Sequence, residues 1–403
     1  MRDFTFLHMA DLHLGSPFEG LGVDDPATAS RFAQAIRDTF TALVARAIAE
    51  AVDFVVIAGD VYDREWRDAS VGLFFNREMA RLDRAGIPVF VIKGNHDAAS
   101  VVISAVPLPA SVREFGSDAP TTRTIPHLKV ALHGISYEHR EAPQNLARAY
   151  PDALPDHFNI GLLHTSLTGE ESNAVYAPCT EADLVAKGYD YWALGHVHRP
   201  QSVRENPAIV FSGCIQGRSV RELGPHGAAL VRVANGETAL EWWMEDRVRW
   251  CEARVPLDGV DDFAAEGPAL IERAVRDAVE GVEGRPVALR VVLEGRTAVH
   301  AWLHASAAEA RALVQATADH VVDDIWLEKL RLRTEPRQAS ALDGEALATL
   351  LDTVDGDAVL RGSVEKQRAQ LLAKAPPEID ASDLDTDALL ADARALLSAK
   401  LAG

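Results

Sequence analysis

Short apolar runs alternate with amphipathic segments along the first 245 residues of the chain. Phe4–Ala10 and Asp53–Ala58 are mostly apolar and rich in aromatic or β-branched residues, which predicts buried strands. Residues 27–51 between them place apolar side chains at helical spacing, and a second helix is predicted from Ser70 to Ala85. This alternation of strands and helices is typical of an α/β domain.

Further strands are predicted in this region at 87–92, 128–133, 158–164, 191–194, 208–212, 228–233 and 239–243. From about residue 248 the pattern changes to strand, helix, strand, helix and strand, which indicates a compact α+β unit. Residues 335–340 have the composition of a linker, and helices are predicted beyond it over 342–351, 358–373 and 384–401. We therefore predict an α/β domain over 1–245, an α+β capping domain over 246–335 and a helical C-terminal region over 336–403.

Composition changes this picture little. Of the 403 residues, 48% are hydrophobic and 25% are charged, which is normal for a folded soluble protein. No apolar run approaches the roughly 20 residues of a membrane helix, and the N-terminus lacks the apolar core of a signal peptide. A cytoplasmic protein without membrane association is expected. Cys179, Cys214 and Cys251 form no CxxC pair and are expected to be small core residues.

The net charge is −20, from 40 basic and 60 acidic residues. Proteins that bind nucleic acids usually have a basic face, so this charge argues against such a partner. Binding of DNA would have to depend on a local basic patch, on a partner chain, or on bound cations that offset the acidity at the site.

Polar side chains that suit metal ions follow five of the predicted strands. The motifs are Asp11-Leu12-His13, Gly59-Asp60, Gly94-Asn95-His96-Asp97, His164 and Gly195-His196-Val197-His198. Ligands bind at the carboxyl ends of strands in α/β sheets, so these five strand ends are expected to converge on one point. Each motif alone is a weak signal, but the whole set in this position is hard to obtain by chance.

The residue types in these motifs suit a centre with two metal ions. Aspartate supplies an anionic oxygen that can bridge two cations, histidine a neutral nitrogen and asparagine a carbonyl oxygen. This mixture favours Mn, Fe, Zn or Co over Ca or Cu(I). Two such ions about 3.5–4 Å apart can hold a phosphate and a hydroxide for in-line displacement. The sequence therefore predicts a two-metal phosphoesterase.

The motifs resemble those of the calcineurin-like metallophosphoesterases, and among these the bacterial DNA repair exonucleases of the SbcD and YhaO type. The closer resemblance rests on residues 8–18, 58–63, 94–97, 189–198 and 211–213. It covers about residues 1–245, and the remainder is similar only in architecture. It implies an α/β fold of two facing mixed β-sheets flanked by helices, followed by a small α+β capping domain and a helical C-terminal tail.

The resemblance also implies roles for the site residues. The first ligand set would consist of Asp11, His13 and His198, and the second of Asn95, His164 and His196. Asp60 would bridge the two metal ions. Two divalent ions, with Mn expected, would occupy these sets. His96 would contact the phosphate and protonate the leaving oxygen, with Asp97 orienting its ring. Archaeal and eukaryotic relatives have a second histidine where this chain has Asp63, so no role is transferred to that position.

Five arginines lie near the motifs in the sequence: Arg64, Arg67, Arg199, Arg218 and Arg221. Arg218 and Arg221, in a loop that follows a predicted strand, are candidates for contacts with DNA phosphates. Solvated surface positions or ion pairs with the many acidic residues are the alternative interpretation.

The leading hypothesis is a metal-dependent DNA nuclease of DNA repair, a 3′→5′ exonuclease with single-strand endonuclease activity. The alternative is a phosphoesterase acting on a small-molecule or protein phosphate, which the acidic net charge favours. A non-catalytic subunit is disfavoured because all seven expected ligands and His96 are present. The resemblance further implies DNA and an SMC-like ATPase with a coiled coil as partners, and a homodimer. Helices 342–351 and 358–373 are candidates for docking that partner.

Overall fold

The computed structural model describes residues 2–16, 26–63, 69–98, 107–167, 176–337 and 358–372, together with Thr386 and Leu390. Arg64, Arg67 and the predicted helix 342–351 lie outside the described residues, as does nearly all of the predicted helix 384–401.

Fifteen strands occur in the described part of the chain: β1 (Phe4–Met9), β2 (Phe54–Ala58), β3 (Val89–Ile92), β4 (Val112–Glu114), β5 (Thr121–Ile125), β6 (Val130–Gly134), β7 (Phe158–His164), β8 (Tyr191–Gly195), β9 (Gln201–Arg204), β10 (Ala208–Phe211), β11 (Ala228–Ala234), β12 (Glu237–Trp243), β13 (Arg249–Pro256), β14 (Val287–Thr297) and β15 (Ile325–Pro336). The α-helices there are α1 (Pro26–Ala49), α2 (Ala69–Arg84), α3 (Asn95–Ala98), α4 (Glu181–Val185), α5 (Phe263–Ala278), α6 (His300–Ala305), α7 (Ala307–Asp319) and α8 (Ala358–Leu372).

Two six-stranded sheets form the α/β part. The first has the order β12-β11-β1-β2-β3-β4, with β1 to β4 parallel and β11 antiparallel to β1. The second has the order β5-β6-β7-β8-β10-β9, with parallel inner strands and antiparallel strands at both edges. The predicted architecture of two mixed sheets flanked by helices is confirmed.

One apolar core joins side chains from both sheets. Phe6 stacks on Phe54 within the first sheet, with ring centroids 4.9 Å apart, and meets Tyr191 of the second sheet edge-on at 5.1 Å. A second core packs α1 and α2 against the first sheet. Because buried aromatic rings contribute large apolar area and specific geometry, this inner core fixes the spacing of the two sheets.

The C-terminal strands form a third sheet in the order β13-β14-β15. Contacts divide the chain into two compact units, one of Met1–Ala253, Glu272–Val291 and Gln315–Leu330, the other of Arg254–Ile271, Val292–Val314 and Arg331–Gly403. The single boundaries expected near residues 245 and 335 remain predictions. No helix among the described residues is long and apolar enough to cross a membrane. All three cysteines are buried and free of disulfides.

Candidate metal centre

The five predicted motifs stand at the carboxyl ends of strands in both sheets. In the first sheet β2 and β3 end in register, because Ala58 pairs with Ile92. In the second sheet β7 and β8 end together, with His164 paired to Gly195. The loops that follow these strands carry aspartate, asparagine and histidine side chains, and most of them are buried.

The backbone at these strand ends has an unusual conformation. Four of the non-glycine residues with positive φ angles lie at these strand ends: Asp11 at 49°, His13 at 44°, Asp60 at 54° and His196 at 100°. L-residues rarely adopt this region, and each instance costs about 1–3 kcal/mol. The first two are held by hydrogen bonds, since the backbone N–H of Asp11 donates to Gly59 O and that of His13 to Asp60 O, both at 3.0 Å. Hydrogen bonds to the loop after β2 therefore hold the conformations of Asp11 and His13, whose side chains belong to the predicted ligand sets.

Glycine is required at two close approaches of the chain beside the candidate centre. A Cβ on Gly195 would lie 2.1 Å from the carbonyl oxygen of Ala58 and 2.9 Å from Nδ1 of His164. A Cβ on Gly94 would lie 2.3 Å from Oδ1 of Asp60. Gly195 thus lets β8 of the second sheet approach the end of β2 in the first sheet, and Gly94 lets the loop after β3 approach Asp60 within the first sheet.

The structure brings the first predicted ligand set together. Ligand atoms of Asp11, His13 and His198 all lie within 4.8 Å of one another. Nε2 of His13 is 3.2 Å from Nε2 of His198, which in turn is 3.9 Å from Oδ1 of Asp11. Nδ1 of His198 contacts Glu222 at 2.6 Å, which favours a proton on Nδ1 and leaves Nε2 facing the centre. Burial acts to lower the pKa of His198, but the Glu222 carboxylate outweighs it and raises the pKa, so a metal ion at Nε2 would displace a proton.

The second set gathers around His164. Its Nδ1 donates to the carbonyl oxygen of Ala58 at 3.0 Å, and its Nε2 lies 3.0 Å from Oδ1 of Asn95 and 3.3 Å from Oδ2 of Asp60. The ring of His196 lies 5.3 Å from that of His164. Oδ2 of Asp60 is also 3.8 Å from Nε2 of His13, so this carboxylate stands between the two sets, as a bridging ligand would.

The electrostatics of the site fit cations. Burial lowers the pKa of His13 and of His196 to about 3, which keeps both imidazoles neutral, the form that binds metal. Burial also acts to lower the pKa of His164, but the Asp60 carboxylate outweighs it and raises the pKa to about 9. A proton on Nε2 of His164 would lie between the oxygen atoms of Asn95 and Asp60. A divalent ion at that position would bind the same atoms. The donor set therefore suits two divalent ions.

Comparisons with known proteins agree with this geometry. Residues 4–200 match the sequence profile described as calcineurin-like phosphoesterase, and residues 250–335 match that of the middle domain of metallophosphoesterase YhaO. The chain is 35% identical over 305 residues to the uncharacterized metallophosphoesterase YhaO of Bacillus subtilis (strain 168), covering 73% of this chain and 72% of that protein. The chain belongs to the calcineurin-like metallophosphoesterase family. The resemblance inferred from its motifs is thereby confirmed.

More distant relatives of this metallophosphoesterase include two proteins named DNA double-strand break repair protein Mre11. The one from Sulfurisphaera tokodaii is 29% identical over 203 residues, or 49% of this chain and 50% of the relative. The one from Methanopyrus kandleri is 27% identical over 224 residues, or 50% of this chain and 46% of the relative. The chain thus spans about half the length of each Mre11 relative.

The general-acid candidate of the metallophosphoesterase, His96, has a different partner from the one expected. Asp97 does not contact its ring. The Asp97 carboxylate instead accepts backbone N–H groups from Val61, Tyr62 and Gly94 at 3.1, 2.9 and 3.0 Å. The expectation that Asp97 orients His96 is wrong, because neighbouring side chains in the one-turn helix α3 point in different directions. Asp97 instead ties together the loops that carry Asp60 and His96.

Asp63 takes the position beside His96. Its Oδ1 lies 2.7 Å from Nδ1 of His96 and 3.6 Å from Nδ1 of His13. Burial acts to raise the pKa of Asp63, but the contacts with the two histidines outweigh it and hold the pKa well below its usual range. The carboxylate is therefore charged and can hold a proton on Nδ1 of His96, leaving Nε2 for a substrate.

Glu222 is a site residue that the sequence did not reveal. Besides His198 it contacts Arg218, whose backbone N–H and Nη2 both donate to its carboxylate at 2.7 Å. Arg218 has only 14% of its side chain exposed and also contacts Ser16 Oγ at 3.3 Å. The ion pair that was the alternative interpretation is therefore present, and the contact of Arg218 with DNA phosphates stays a prediction.

Proposed function

We propose that this metallophosphoesterase is a metal-dependent DNA nuclease that acts in DNA repair. The observation that carries the chemistry is the meeting of two ligand sets at Asp60, with His96 alongside. Two divalent ions held there, with Mn proposed, would supply the Lewis-acid chemistry of phosphodiester hydrolysis. The Mre11 relatives support DNA as the substrate. We propose a 3′→5′ exonuclease with single-strand endonuclease activity.

The ligands in this proposal are the seven that the sequence predicted. The first ion would bind Asp11, His13 and His198, the second Asn95, His164 and His196, with Asp60 shared. His96, whose side chain is 22% exposed, is the group that faces substrate. With Asp63 at its Nδ1, His96 would give its proton to the leaving oxygen from Nε2. Asp97 would act only through the backbone of the neighbouring loops.

The test is Mn²⁺-dependent hydrolysis of linear single-stranded and duplex DNA, labelled in turn at the 5′ and 3′ ends. p-Nitrophenyl phosphate esters are assayed in parallel, and His96→Ala is the matched inactive variant. Degradation from the 3′ end that His96→Ala abolishes would support the proposal. Cleavage of the nitrophenyl esters alone would favour the alternative, a small-molecule or protein phosphoesterase, which the net charge of −20 also favours.

We further propose a cytoplasmic location, an SMC-like ATPase as partner and a homodimer. The resemblance to the SbcD and YhaO type supports them, and α8 (Ala358–Leu372) is the described helix available for docking. Light scattering of the full chain at several concentrations tests the dimer. Stimulation of DNA degradation by ATP, when an SMC-like ATPase is added to the full chain, tests the partner.

A further inference from the structure

A cavity of about 580 Å³ lies beside the metal centre and includes His198 in its wall. Arg199 and Arg221 line it together with apolar groups from Leu223, Pro225 and Met244. Its volume is within the range of pockets that hold small organic ligands. Because His198 belongs to both, the cavity adjoins the position of a phosphate bound at the centre, and the group esterified to that phosphate could enter it.

The two arginines of the cavity lack the acidic partners that most other arginines have in the described part of the chain. Arg199 and Arg221 are exposed, and within the described residues neither has an ion pair with an acidic side chain. Glu222 also lines the cavity, but its carboxylate already contacts His198 and Arg218. The arginines therefore present two uncompensated positive charges next to the centre, in a chain whose net charge is −20.

The apolar side of the cavity is unusual as well. Leu223 has 45% of its surface exposed and is one of three large hydrophobic residues that are exposed in the described part of the chain. Gly224, with φ 84°, turns the chain beside it, and its N–H donates to Trp250 O at 3.1 Å. This turn holds Leu223 at the cavity, where an aromatic base could cover it.

We propose that the cavity binds the nucleotide next to the scissile phosphate of single-stranded DNA. Arg199 and Arg221 would bind, as charged donors, the phosphates that lie beyond that nucleotide, on the side away from the scissile phosphate. Leu223, with Met244 and Pro225, would contact the base through its flat face, which every base offers. This proposal rests on the nuclease function proposed above, and it explains how an acidic protein binds a polyanion through a local patch.

The experiment compares two substrates over 0.05–0.4 M salt with Mn²⁺ present. One is a fluorogenic single-stranded oligonucleotide; the other is bis-p-nitrophenyl phosphate, which has one phosphate and no flanking nucleotide. The variants are Arg199→Gln, Arg221→Gln and Leu223→Ser. The control is Arg113→Gln, an exposed arginine of β4 that does not line the cavity and has no ion pair within the described ranges. The readout is kcat/KM for DNA divided by kcat/KM for the ester.

Each phosphate contact on single-stranded DNA contributes about 0.7 to the slope of log affinity against log salt. Losing one arginine should thus lower the DNA-to-ester ratio about fivefold at 0.1 M salt and flatten the slope by about 0.7. Leu223→Ser should lower the ratio without changing the slope, and Arg113→Gln should keep the parent ratio and slope.

Two results would overturn the proposal while leaving the nuclease function intact. One is a salt slope that Arg199→Gln and Arg221→Gln leave unchanged. The other is an equal loss on DNA and on the ester, which would assign the arginines to the centre itself. If the unaltered enzyme cleaves the ester and no DNA, the proposed function fails first, and the nucleotide site fails with it.

Discussion

Replacing Glu222 by glutamine removes the negative charge that links His198 to Arg218. Oε1 of Glu222 lies 2.6 Å from Nδ1 of His198, and Nη2 of Arg218 donates to the same oxygen at 2.7 Å. The side chains of Glu222 and Arg218 are 10% and 14% exposed, so water screens the pair poorly. A glutamine keeps the shape of the side chain but offers His198 a weaker acceptor and leaves Arg218 without a counter-charge.

Two effects follow from this geometry. Loss of the partner that orients a ligating histidine typically lowers metal affinity 10–100-fold, or by about 1.4–2.7 kcal/mol. Breaking a buried ion pair costs about 3–5 kcal/mol when one partner is deleted. Since glutamine keeps part of the hydrogen bonding, we expect a loss of about 2 kcal/mol in the free energy of unfolding of the metal-free protein.

Titration of Mn²⁺ against bis-p-nitrophenyl phosphate hydrolysis measures the first effect, and urea unfolding in EDTA the second. Glu241→Gln is the matched control, because Glu241 also pairs with arginine but is 46% exposed on β12, where such a pair contributes at most about 1 kcal/mol. We expect the half-saturating Mn²⁺ concentration to rise at least tenfold only in Glu222→Gln. An unchanged Mn²⁺ requirement would refute the role of Glu222 as the partner that orients His198.

Asp63→Asn should lower kcat on DNA about a hundredfold, through loss of the charge beside the general acid, and should lower it less on nitrophenyl esters, whose leaving group needs no proton; equal losses would contradict this. Gly195→Ala should lower the free energy of unfolding in urea by about 3 kcal/mol, because the new Cβ meets the carbonyl oxygen of Ala58. Gly116→Ala, with open space around the glycine, should lower it by less than about 1 kcal/mol. Burial lowers the pKa of His8 to about 3, below the unfolded value of 6.5, so the unfolded state binds more protons and stability is lost as pH falls from 6.5 towards 3. When the pH falls from 7 to 5, the free energy of unfolding of His8→Gln should therefore drop by about 2 kcal/mol less than that of the parent, as measured by denaturant titration. Equal drops in the two proteins would contradict this.

Much of the fold was predictable because the inner strands are continuous apolar runs. β2 is of this kind, with every residue of Phe54–Ala58 apolar and buried, and β7 is interrupted only by Asn159 before its last residue, His164. The strands that the sequence did not predict include β4, β5 and β9, which are short and half-exposed. Their pairing depends on neighbours distant in the sequence, so local patterns carry little information about them.

The candidate site was predictable in its members but not in all its contacts. The motifs placed the ligand types at strand ends, and the structure brings those residues together. The partner of His96 was assigned wrongly because Asp97 is adjacent in the chain, whereas Asp63 approaches from a different loop. Glu222 was missed because its contact with His198 is tertiary. Contacts of this kind depend on how loops from different strands meet, which spacing along the chain does not determine.

The division of the ligands between the two sheets has a consequence for the whole α/β part. Asp11, His13, Asp60 and Asn95 follow strands of the first sheet, while His164, His196 and His198 belong to the second. Ions bound to ligands from both sheets would cross-link them, and the sheets could not separate until the ions dissociated. Free metal at a thousand times its Kd would then add about 4 kcal/mol to the opening free energy. Amide hydrogen exchange in β6, which contributes none of these ligands, should therefore slow on metal loading.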